Sequence, residues 1–583
     1  MNSNTLYIVD DDSHTIDKNE MVVFLNQDND KFPNKLPLLE EFSKTQSKLR
    51  DELLEFNESI LNKLRKYLDK DEDYRYLLSS TVFEKSPYKT NYVYNFFKSS
   101  LIVKYIKEYS INNIVISSVN NEIIKFFQNY SLENKIICRV NNQQDKFHIK
   151  QYITNNSFLS SLYILKREYK KIKLNIQKNK KKNENLVVSY FPNYSFDDNN
   201  QFYSNYFAEI SQSLNKNFDW LFIYVNDINN LKNEEKVLVS KNFNQYEFLD
   251  AYISINDLLE VRTKLNNILK KFNQIDLSDL FVFKNTNYYE LLIKDWKKFI
   301  GFELFDTLIF EKKFKNFFND REYINVLYLL EYQPWEQMLN KTLQNKATTT
   351  KSITHSVFRP NLMNYYYTKT IHDYMYTSNI VAANSDFSKK MLLENGYLED
   401  SVKEIEAQRF NYLANIAKEL PPEKNLLIIT SIDFNETSTL LRLFSEAIVD
   451  NNIFDNIFIK PHPFTPIDSI IQDLNNFPEF IILNGKMSDA LQKASTVFVA
   501  SSSSSLLESI LYGKKTITLF SLDTLPMPSI DNHELLNIVT SSKQLKKILD
   551  EENDYVNMKE NDESLLYLND GYTKWKKILE EKS

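Results

Sequence analysis

Two short segments in the C-terminal third decide the fold of this chain. Residues 457–463 read IFIKPHP, and residues 497–505, which follow after one helical stretch, read VFVASSSSS. Each segment is an apolar strand whose carboxyl end delivers polar groups, and ligands of open α/β sheets bind outside the carboxyl ends of the strands. We therefore expect the two strand ends to meet at one ligand site of a doubly wound domain.

The polar groups at these strand ends suit a nucleotide phosphate. Lys460 supplies a cation and His462 an imidazole, and the start of the next helix favours an anion. That helix start supplies the hydroxyls and backbone N–H groups of Ser501, Ser502, Ser503, Ser504 and Ser505. Gly513 is the predicted C-cap, and a strand resumes at 516–520. A proline-ended strand and a simple helix N-cap are the alternatives for each segment alone. Their combined order favours the phosphate site.

The C-terminal third resembles the donor domain of GT-B glycosyltransferases that use CMP-activated sugar acids. In those enzymes an HP motif and a later Ser/Thr-rich motif hold the nucleotide, and bacterial sialyltransferases and capsular Kdo transferases share this arrangement. Residues 186–530 are similar to a bacterial surface-carbohydrate biosynthesis family related to the capsular Kdo and pseudaminic acid transferases. The stretches that carry this similarity are SYF at 189–191 with Tyr203, Tyr206 and Phe207, EYQPWE at 331–336, HSVFRP at 355–360 and EAQRF at 406–410.

The resemblance implies a GT-B fold, with two Rossmann-like domains facing a cleft, and it assigns roles to residues. Glu331 or Glu336 would be catalytic, since sugar transfer needs a group that deprotonates the acceptor hydroxyl or traps the anomeric carbon. Glu508 would receive ribose hydroxyls. The carboxylate of the sugar acid would be held by His355, Arg359 and Arg409.

Local sequence bears on two of these roles. Residues 326–330 read VLYLL, which we predict to be helical, and a carboxylate at the end of such a helix would have its pKa raised by desolvation. A capping and tryptophan-packing role is the alternative for residues 331–336. For Arg409 the alternative is a salt bridge to Glu404 or Glu406. Should the catalytic group lie elsewhere, the next candidates are Asp10, Asp11, Asp12, Asp197 and Asp198.

Composition excludes several classes of function. A chain of 583 residues is too long for one core, and its net charge of −7 gives no general basic field for nucleic acid. The five glycines are far apart, so neither a GxGxxG motif nor a Walker loop is present. The chain has a single cysteine, Cys138, and its six histidines lack metal-ligand spacing, so we predict no metal site. We also expect no bound cofactor, because the CMP-sugar would be a substrate.

The alternation of strand-like and helix-like runs predicts four parts. They are an N-terminal α/β domain (1–155), a basic helical linker (156–185), an acceptor-side Rossmann-like domain (186–420) and a donor-binding Rossmann-like domain (421–583). The linker mixes lysines with apolar residues, which suits either an anionic membrane surface or a solvated helix. We find no signal peptide and no apolar run of about 20 residues. We therefore expect a cytoplasmic protein, peripheral on the inner face of the membrane if the linker binds lipid.

The sequence thus predicts a glycosyltransferase that moves a Kdo-type or nonulosonic sugar acid, such as pseudaminic or sialic acid, from a CMP-sugar. The acceptor would be a surface polysaccharide of the capsule or lipopolysaccharide, or its lipid-linked precursor. Two alternatives stay open: a UDP-sugar transferase or epimerase on the same fold, and a non-catalytic scaffold of glycan assembly. A UDP enzyme would use a carboxylate near Glu508 for the ribose and would need no arginine for a sugar carboxylate.

Overall fold

Three parallel sheets form the framework of the protein in its computed structural model. The structure describes the chain except for residues 1–3, 12–15, 17–19, 27–31, 142–153, 155, 174–175, 177, 179, 192–203, 205, 208–209, 211–213, 215, 225–245, 415–422, 449–452, 475–476, 531, 552–563, 570 and 582–583. Within the described part, no helix combines the length and the apolar character that a membrane span requires.

The N-terminal unit contains a four-stranded sheet in the order β2-β1-β3-β4. Its strands are β1 (Thr5–Val9), β2 (Met21–Phe24), β3 (Asn113–Ser117) and β4 (Ile137–Val140). Its helices are α1 (Leu38–Leu68), α2 (Thr81–Glu84), α3 (Tyr92–Glu108) and α4 (Asn121–Asn134), with a 3₁₀ helix at Glu72–Ser79.

The acceptor-side unit contains a seven-stranded sheet in the order β13-β12-β11-β10-β5-β6-β7. Its strands are β5 (Asn185–Phe191), β6 (Phe218–Tyr224), β7 (Tyr246–Phe248), β10 (Asn325–Leu329), β11 (Thr349–Ile353), β12 (Ile380–Ala383) and β13 (Val402–Glu404), and a separate antiparallel pair is formed by β8 (Val282–Phe283) and β9 (Thr286–Asn287). Its helices are α5 (Ser157–Lys173), α6 (Ile255–Phe272), α7 (Leu277–Leu280), α8 (Tyr289–Lys298), α9 (Leu304–Phe317), α10 (Pro334–Leu343), α11 (Lys369–His372) and α12 (Asp386–Glu394). A π-helical turn (Phe299–Glu303) and 3₁₀ helices at Leu249–Ala251, Met363–Tyr365, Glu399–Ser401 and Gln408–Leu413 complete the unit.

The donor-side unit contains a six-stranded sheet in the order β16-β15-β14-β17-β18-β19. Its strands are β14 (Asn425–Ile429), β15 (Asn456–Lys460), β16 (Ile481–Ile482), β17 (Thr496–Ala500), β18 (Lys515–Leu519) and β19 (Leu536–Val539). Its helices are α13 (Phe434–Ala447), α14 (Asp468–Gln472), α15 (Met487–Lys493), α16 (Ser505–Leu511) and α17 (Ser542–Asp550), and the chain continues to α18 (Thr573–Glu580).

The strand orders place one crevice on each large sheet. Counted from its own first strand, the donor-side sheet runs 3-2-1-4-5-6, and the acceptor-side sheet runs 3-2-1-4-5-6-7. In such sheets the order reverses between strands 1 and 4, and the crevice at that switch point binds ligands. The donor-side switch point lies between β14 and β17, where the serine run begins. The acceptor-side switch point lies between β5 and β10, where residues 331–336 begin.

The three units are packed against one another. One continuous apolar core joins the N-terminal unit to the acceptor-side helices and to Phe520, Leu522, Leu525 and Met527 of the donor side. Lys98 of α3 donates to the backbone oxygen of Leu522 at 2.8 Å. The last helix, α18, returns to the acceptor-side sheet, where Trp575 is 1% exposed. The N-terminal unit is therefore held against both Rossmann-like units.

The predicted fold class is confirmed: the protein is α/β, with two Rossmann-like sheets and an additional N-terminal α/β unit. The predicted helix at 326–330 is wrong, because these residues lie in or next to the central strand β10. A fully buried strand is an unbroken apolar run without alternation, so its periodicity does not distinguish it from a buried helix. The predicted domain boundaries stay predictions.

Candidate active site

The first two serines at the donor-side switch point bind a carboxylate of the protein itself. The Ser501 hydroxyl donates to Glu436 at 2.8 Å, and the Ser502 backbone N–H donates to the same carboxylate at 3.1 Å. The Ser502 hydroxyl also donates to Glu436 and lies 2.8 Å from the Ser431 hydroxyl. Glu436 is 5% exposed and belongs to the first turn of α13. Ser501 and Ser502 are therefore occupied by a structural contact.

Two of the remaining serines contact Glu508. The hydroxyls of Ser504 and Ser505 donate to Glu508 at 3.3 and 3.4 Å, and the Tyr412 hydroxyl donates to its other oxygen. Glu508 and Ser505 are buried, whereas Ser503 and Ser504 are partly exposed. Of the predicted phosphate-binding hydroxyls, those of Ser503 and Ser504 are the ones a ligand can reach.

The KPHP segment sends its two predicted ligand groups in different directions. The backbone N–H of His462 donates to Thr430 at 2.9 Å, and His462 Nδ1 accepts the N–H of Phe464 at 3.3 Å. The neutral ring therefore carries its hydrogen on Nε2, which can donate to an anion. Burial, and then the positive charge of Arg409, lower the pKa of His462. Lys460 instead donates to the backbone oxygen of Gly485 at 2.8 Å, near the edge strand β16.

At the acceptor-side switch point, Glu331 is held from two sides. The Tyr190 hydroxyl at the end of β5 donates to Glu331 Oε2 at 2.8 Å, and Trp335 Nε1 donates to that hydroxyl at 3.1 Å. His355 Nε2 lies 3.3 Å from Glu331 Oε1. Burial raises the pKa of Glu331, while its side chain keeps 24% of its surface exposed. A carboxyl group with a raised pKa and access to the cleft can accept a substrate proton.

Glu336 has a different environment from Glu331. Its carboxylate accepts the backbone N–H groups of Glu331, Tyr332 and Gln333 at 3.0 to 3.1 Å, and the residue is 3% exposed. Burial, and then the nearby charge of Glu331, raise the pKa of Glu336 well above its usual value. The turn that it holds includes Tyr332 at φ 58°, a conformation that costs energy for a bulky residue. Glu336 thus fixes the turn that presents Glu331, as the capping alternative predicted.

His355 and Arg359 come together behind Glu331. Burial, and then the charges of Arg409 and Arg359, lower the pKa of His355 to about 3, so the imidazole is neutral at pH 7. The Tyr206 ring packs edge-on against it, with centroids 4.9 Å apart. Arg359 is 8% exposed, and its Nε is a buried donor without a partner among the described residues. A buried guanidinium with a spare donor suits an anionic ligand.

The N-terminal unit adds a residue that the sequence analysis missed. The guanidinium of Arg359 donates to the Tyr88 hydroxyl at 3.4 Å, and the Tyr88 side chain is 51% exposed. The next residue, Lys89, donates to Glu84 at 2.9 Å and to the Gln333 side chain. A single Ser-Pro-Tyr triplet in a loop gives no sequence signal of such a position.

Arg409 lies between the two Rossmann-like units. It is exposed on the 3₁₀ helix Gln408–Leu413, and its charge lowers the pKa of His355 on one side and of His462 on the other. The predicted alternative partners are bound elsewhere: Glu404 pairs with Lys389 at 2.9 Å and with Lys574, and Glu406 accepts the first N–H groups of α18. The charge of Arg409 therefore acts on both histidines, and neither Glu404 nor Glu406 pairs with it among the described contacts.

The reserve acidic candidates lie apart from this cluster or outside the described residues. Asp10 accepts the Ser118 hydroxyl at 2.7 Å and the Val119 N–H at 2.6 Å, and so closes the switch point of the N-terminal sheet. Asp12, Asp197, Asp198 and Tyr203 belong to the ranges that the structure does not describe.

Comparison with known proteins gives structural likenesses alone. No protein-family model matches the chain, and neither does any curated protein. Similar solved structures include UDP-GlcNAc 2-epimerase from Neisseria meningitidis bound to UDP-GlcNAc, with 11% identity over 62% of this chain and 90% of that one and a TM-score of 0.32. The wall teichoic acid polymerase TagF has 13% identity over 70% and 89% of the two chains and a TM-score of 0.30. The lipopolysaccharide outer core galactosyltransferase WaaB has 11% identity over 63% and 89% and a TM-score of 0.31. At TM-scores of this size, the likenesses decide neither donor nor reaction.

Proposed function

We propose that the protein is a GT-B glycosyltransferase that uses a CMP-activated sugar acid of the Kdo or nonulosonic type. Three observations support the proposal: His355 lies 3.3 Å from Glu331, the buried Arg359 has an Nε donor without a partner among the described residues, and the charge of Arg409 lowers the pKa of both His355 and His462. A neutral hexose needs no such set of cations, whereas a sugar carboxylate removed from water must meet a cation or several donors. Arg359 would bind that carboxylate, and Arg409 would lie between it and the nucleotide phosphate.

In the proposed reaction Glu331 is the base. The acceptor hydroxyl gives its proton to the Glu331 carboxylate, and its oxygen forms a bond to the anomeric carbon of the donor. The bond between that carbon and the phosphate oxygen breaks, and CMP leaves with the electron pair. The two contacts from Tyr190 and His355 would orient the carboxylate toward the acceptor.

The leaving group would be stabilised from the donor side. His462 Nε2–H, Arg409 and the Ser503 hydroxyl would meet the phosphate of CMP, since preorganised donors stabilise charge that develops in the transition state. The Ser504 hydroxyl, which donates to Glu508 at 3.3 Å, would rotate from that carboxylate toward the phosphate. Lys460 and Glu508 are assigned no direct contact, because each is already bound within the protein. The acceptor would be a surface polysaccharide or its lipid-linked precursor, reached at the inner face of the cytoplasmic membrane.

Titration calorimetry with CMP, UDP and GDP tests this proposal. We expect CMP to bind most tightly, and His462→Ala to lower CMP-sugar turnover on the order of 10²-fold, the effect of losing one preorganised donor. Lys460→Ala is the matched control from the same strand end, and we expect its turnover to stay within a few-fold of the wild type. A preference for UDP would support the UDP-sugar transferase or epimerase alternative. No binding of any nucleotide would support a scaffold.

A further inference from the structure

The outward side of helix α5 combines exposed apolar rings with lysines. Its exposed apolar residues and their exposed fractions are Phe158 (60%), Leu162 (46%), Tyr163 (54%) and Tyr169 (43%). The exposed lysines beside them are Lys166, Lys170 and Lys173. At about 100° per residue these positions fall within one arc of about 140°, with Phe158, Leu162 and Tyr169 at one edge of it. We call this surface the α5 face.

The opposite side of α5 anchors the helix to the acceptor-side unit. Ile164 and Glu168 are fully buried. The Glu168 carboxylate pairs with Arg167 at 2.9 Å, with Lys171 at 3.3 Å and with Lys313 of α9 at 2.6 Å. Glu168 is the single acidic residue of α5. The α5 face therefore carries three positive charges and no negative charge of its own, on a helix that the fold holds in place.

The positive charge of this surface is local. The chain as a whole has a net charge of −7, so it has no general attraction for anions. The segment that follows α5 adds Lys178, Lys180, Lys181 and Lys182, all exposed. Asp306, the acidic neighbour from α9, is paired with Arg167. Exposed apolar side chains beside lysines, on a helix face that has no acidic residue of its own, match an apolar layer under a negatively charged surface.

We propose that the α5 face docks on an anionic lipid bilayer, with Phe158, Leu162 and Tyr169 entering the headgroup region and the three lysines meeting lipid phosphates. Only the purpose of this docking rests on the proposed function: it would bring the acceptor-side cleft to a lipid-linked glycan. The docking itself needs no turnover.

Flotation of the full chain with lipid vesicles tests the proposal. We expect co-flotation at low ionic strength with phosphatidylcholine vesicles that contain about one third phosphatidylglycerol, and a steep loss with added salt. The triple variant Lys166→Gln, Lys170→Gln, Lys173→Gln should partition about 100-fold more weakly, since each lysine near such a surface contributes about fivefold. The matched control is the triple variant Lys543→Gln, Lys546→Gln, Lys547→Gln on α17. The lysines of this helix are exposed, but none of its large apolar side chains is exposed. This control should float like the wild type.

Three results would overturn the proposal: no co-flotation of the wild type at low salt, equal binding to vesicles of phosphatidylcholine alone, or an equal loss in the control variant. A dimer in sedimentation velocity without lipid that Leu162→Ser dissociates would instead assign the face to a second copy of the chain. Turnover with a soluble acceptor should be unchanged in the α5 triple variant. A failure of docking is thereby distinguished from a failure of the proposed reaction.

Discussion

The acceptor-side and donor-side sheets share one strand order, yet a carboxylate does different work at each switch point. On the acceptor side, Glu331 is held by Tyr190 and by His355 and keeps part of its surface exposed. On the donor side, Glu436 is buried and takes donors from both Ser501 and Ser502. A buried carboxylate with several donors stabilises the fold, whereas a partly exposed one can accept a proton. The shared strand order produces a crevice in each sheet, and the hydrogen bonds of the carboxylate in that crevice decide whether it can accept a proton.

The largest expected effect tests the acceptor-side carboxylate. Glu331→Gln should lower turnover by roughly 10²-fold to 10⁴-fold, the contribution of a general base, while the dissociation constant for CMP stays the same. Steady-state kinetics and calorimetry measure the two quantities. Glu336→Gln should lose much less turnover than Glu331→Gln, because its one remaining oxygen still accepts part of the N–H groups of the turn, although its amide nitrogen can accept none of them. Full activity in both variants would move the base to Asp10, Asp11, Asp12, Asp197 or Asp198.

The donor-side carboxylate should matter for stability instead. Glu436→Ala leaves the donors of Ser501 and Ser502 unpaired in a buried site, and we expect a loss of about 3 kcal/mol in the free energy of unfolding. Urea denaturation at pH 7 measures this. Glu446→Ala, at the exposed end of the same helix, should change stability by less than about 0.5 kcal/mol. An unchanged unfolding midpoint with lost nucleotide binding would reverse the proposed contrast between the two switch points.

Arg359 sharpens the comparison by testing which unit recognises the sugar. Arg359→Lys keeps the charge but loses the planar fork, so turnover of a CMP-sugar acid should fall about 30-fold, the equivalent of about 2 kcal/mol. CMP itself should bind almost as before in calorimetry. Arg442→Lys, in an exposed ion pair on α13, is the matched control. Equal weakening of CMP and CMP-sugar binding would place Arg359 at the nucleotide instead.

The serine run should contain residues for nucleotide binding and residues for stability. The double variant Ser503→Ala, Ser504→Ala should weaken CMP binding by about 1 kcal/mol, or about fivefold, with little change in stability. Ser502→Ala should do the opposite, because its hydroxyl serves Glu436. Calorimetry and thermal unfolding together separate the two effects. The assignment of Ser503 and Ser504 to the phosphate fails if the double variant binds CMP as tightly as the wild type.

The neutral His355 gives the acceptor side a pH dependence. Its pKa is about 3 in the folded protein and about 6.5 in the unfolded chain. Between these two pH values the unfolded state therefore binds more protons than the folded state. The contribution of His355 to the free energy of unfolding is complete above pH 6.5 and is lost as the pH falls toward 3. Its slope is at most about 1.4 kcal/mol per pH unit. Urea denaturation at pH 5 and 7 should show a smaller difference for His355→Gln than for the wild type, and an equal difference would refute the buried neutral state.

The sequence alone determined the architecture and the positions where polar groups leave the sheets. Apolar runs such as 457–459 and 497–500 require burial on both faces, and this demands parallel strands covered by helices. The ends of such strands then lie on one edge of the sheet, so the KPHP segment and the serine run were both expected at that edge. The helical prediction at 326–330 failed because five apolar residues fit a buried strand and a buried helix equally.

Only the tertiary structure decided which of these polar groups are already bound within the protein. Glu436 and Ser501 are 65 residues apart in the chain, and no local pattern predicts that the Ser501 hydroxyl would donate to the Glu436 carboxylate. The same holds for the contact of Tyr88 with Arg359, 271 residues apart, and for the effect of the Arg409 charge on both His355 and His462. Strands can be predicted because burial leaves a local pattern in the sequence. Which polar groups of a site keep a free donor or acceptor depends on hydrogen bonds made across the fold.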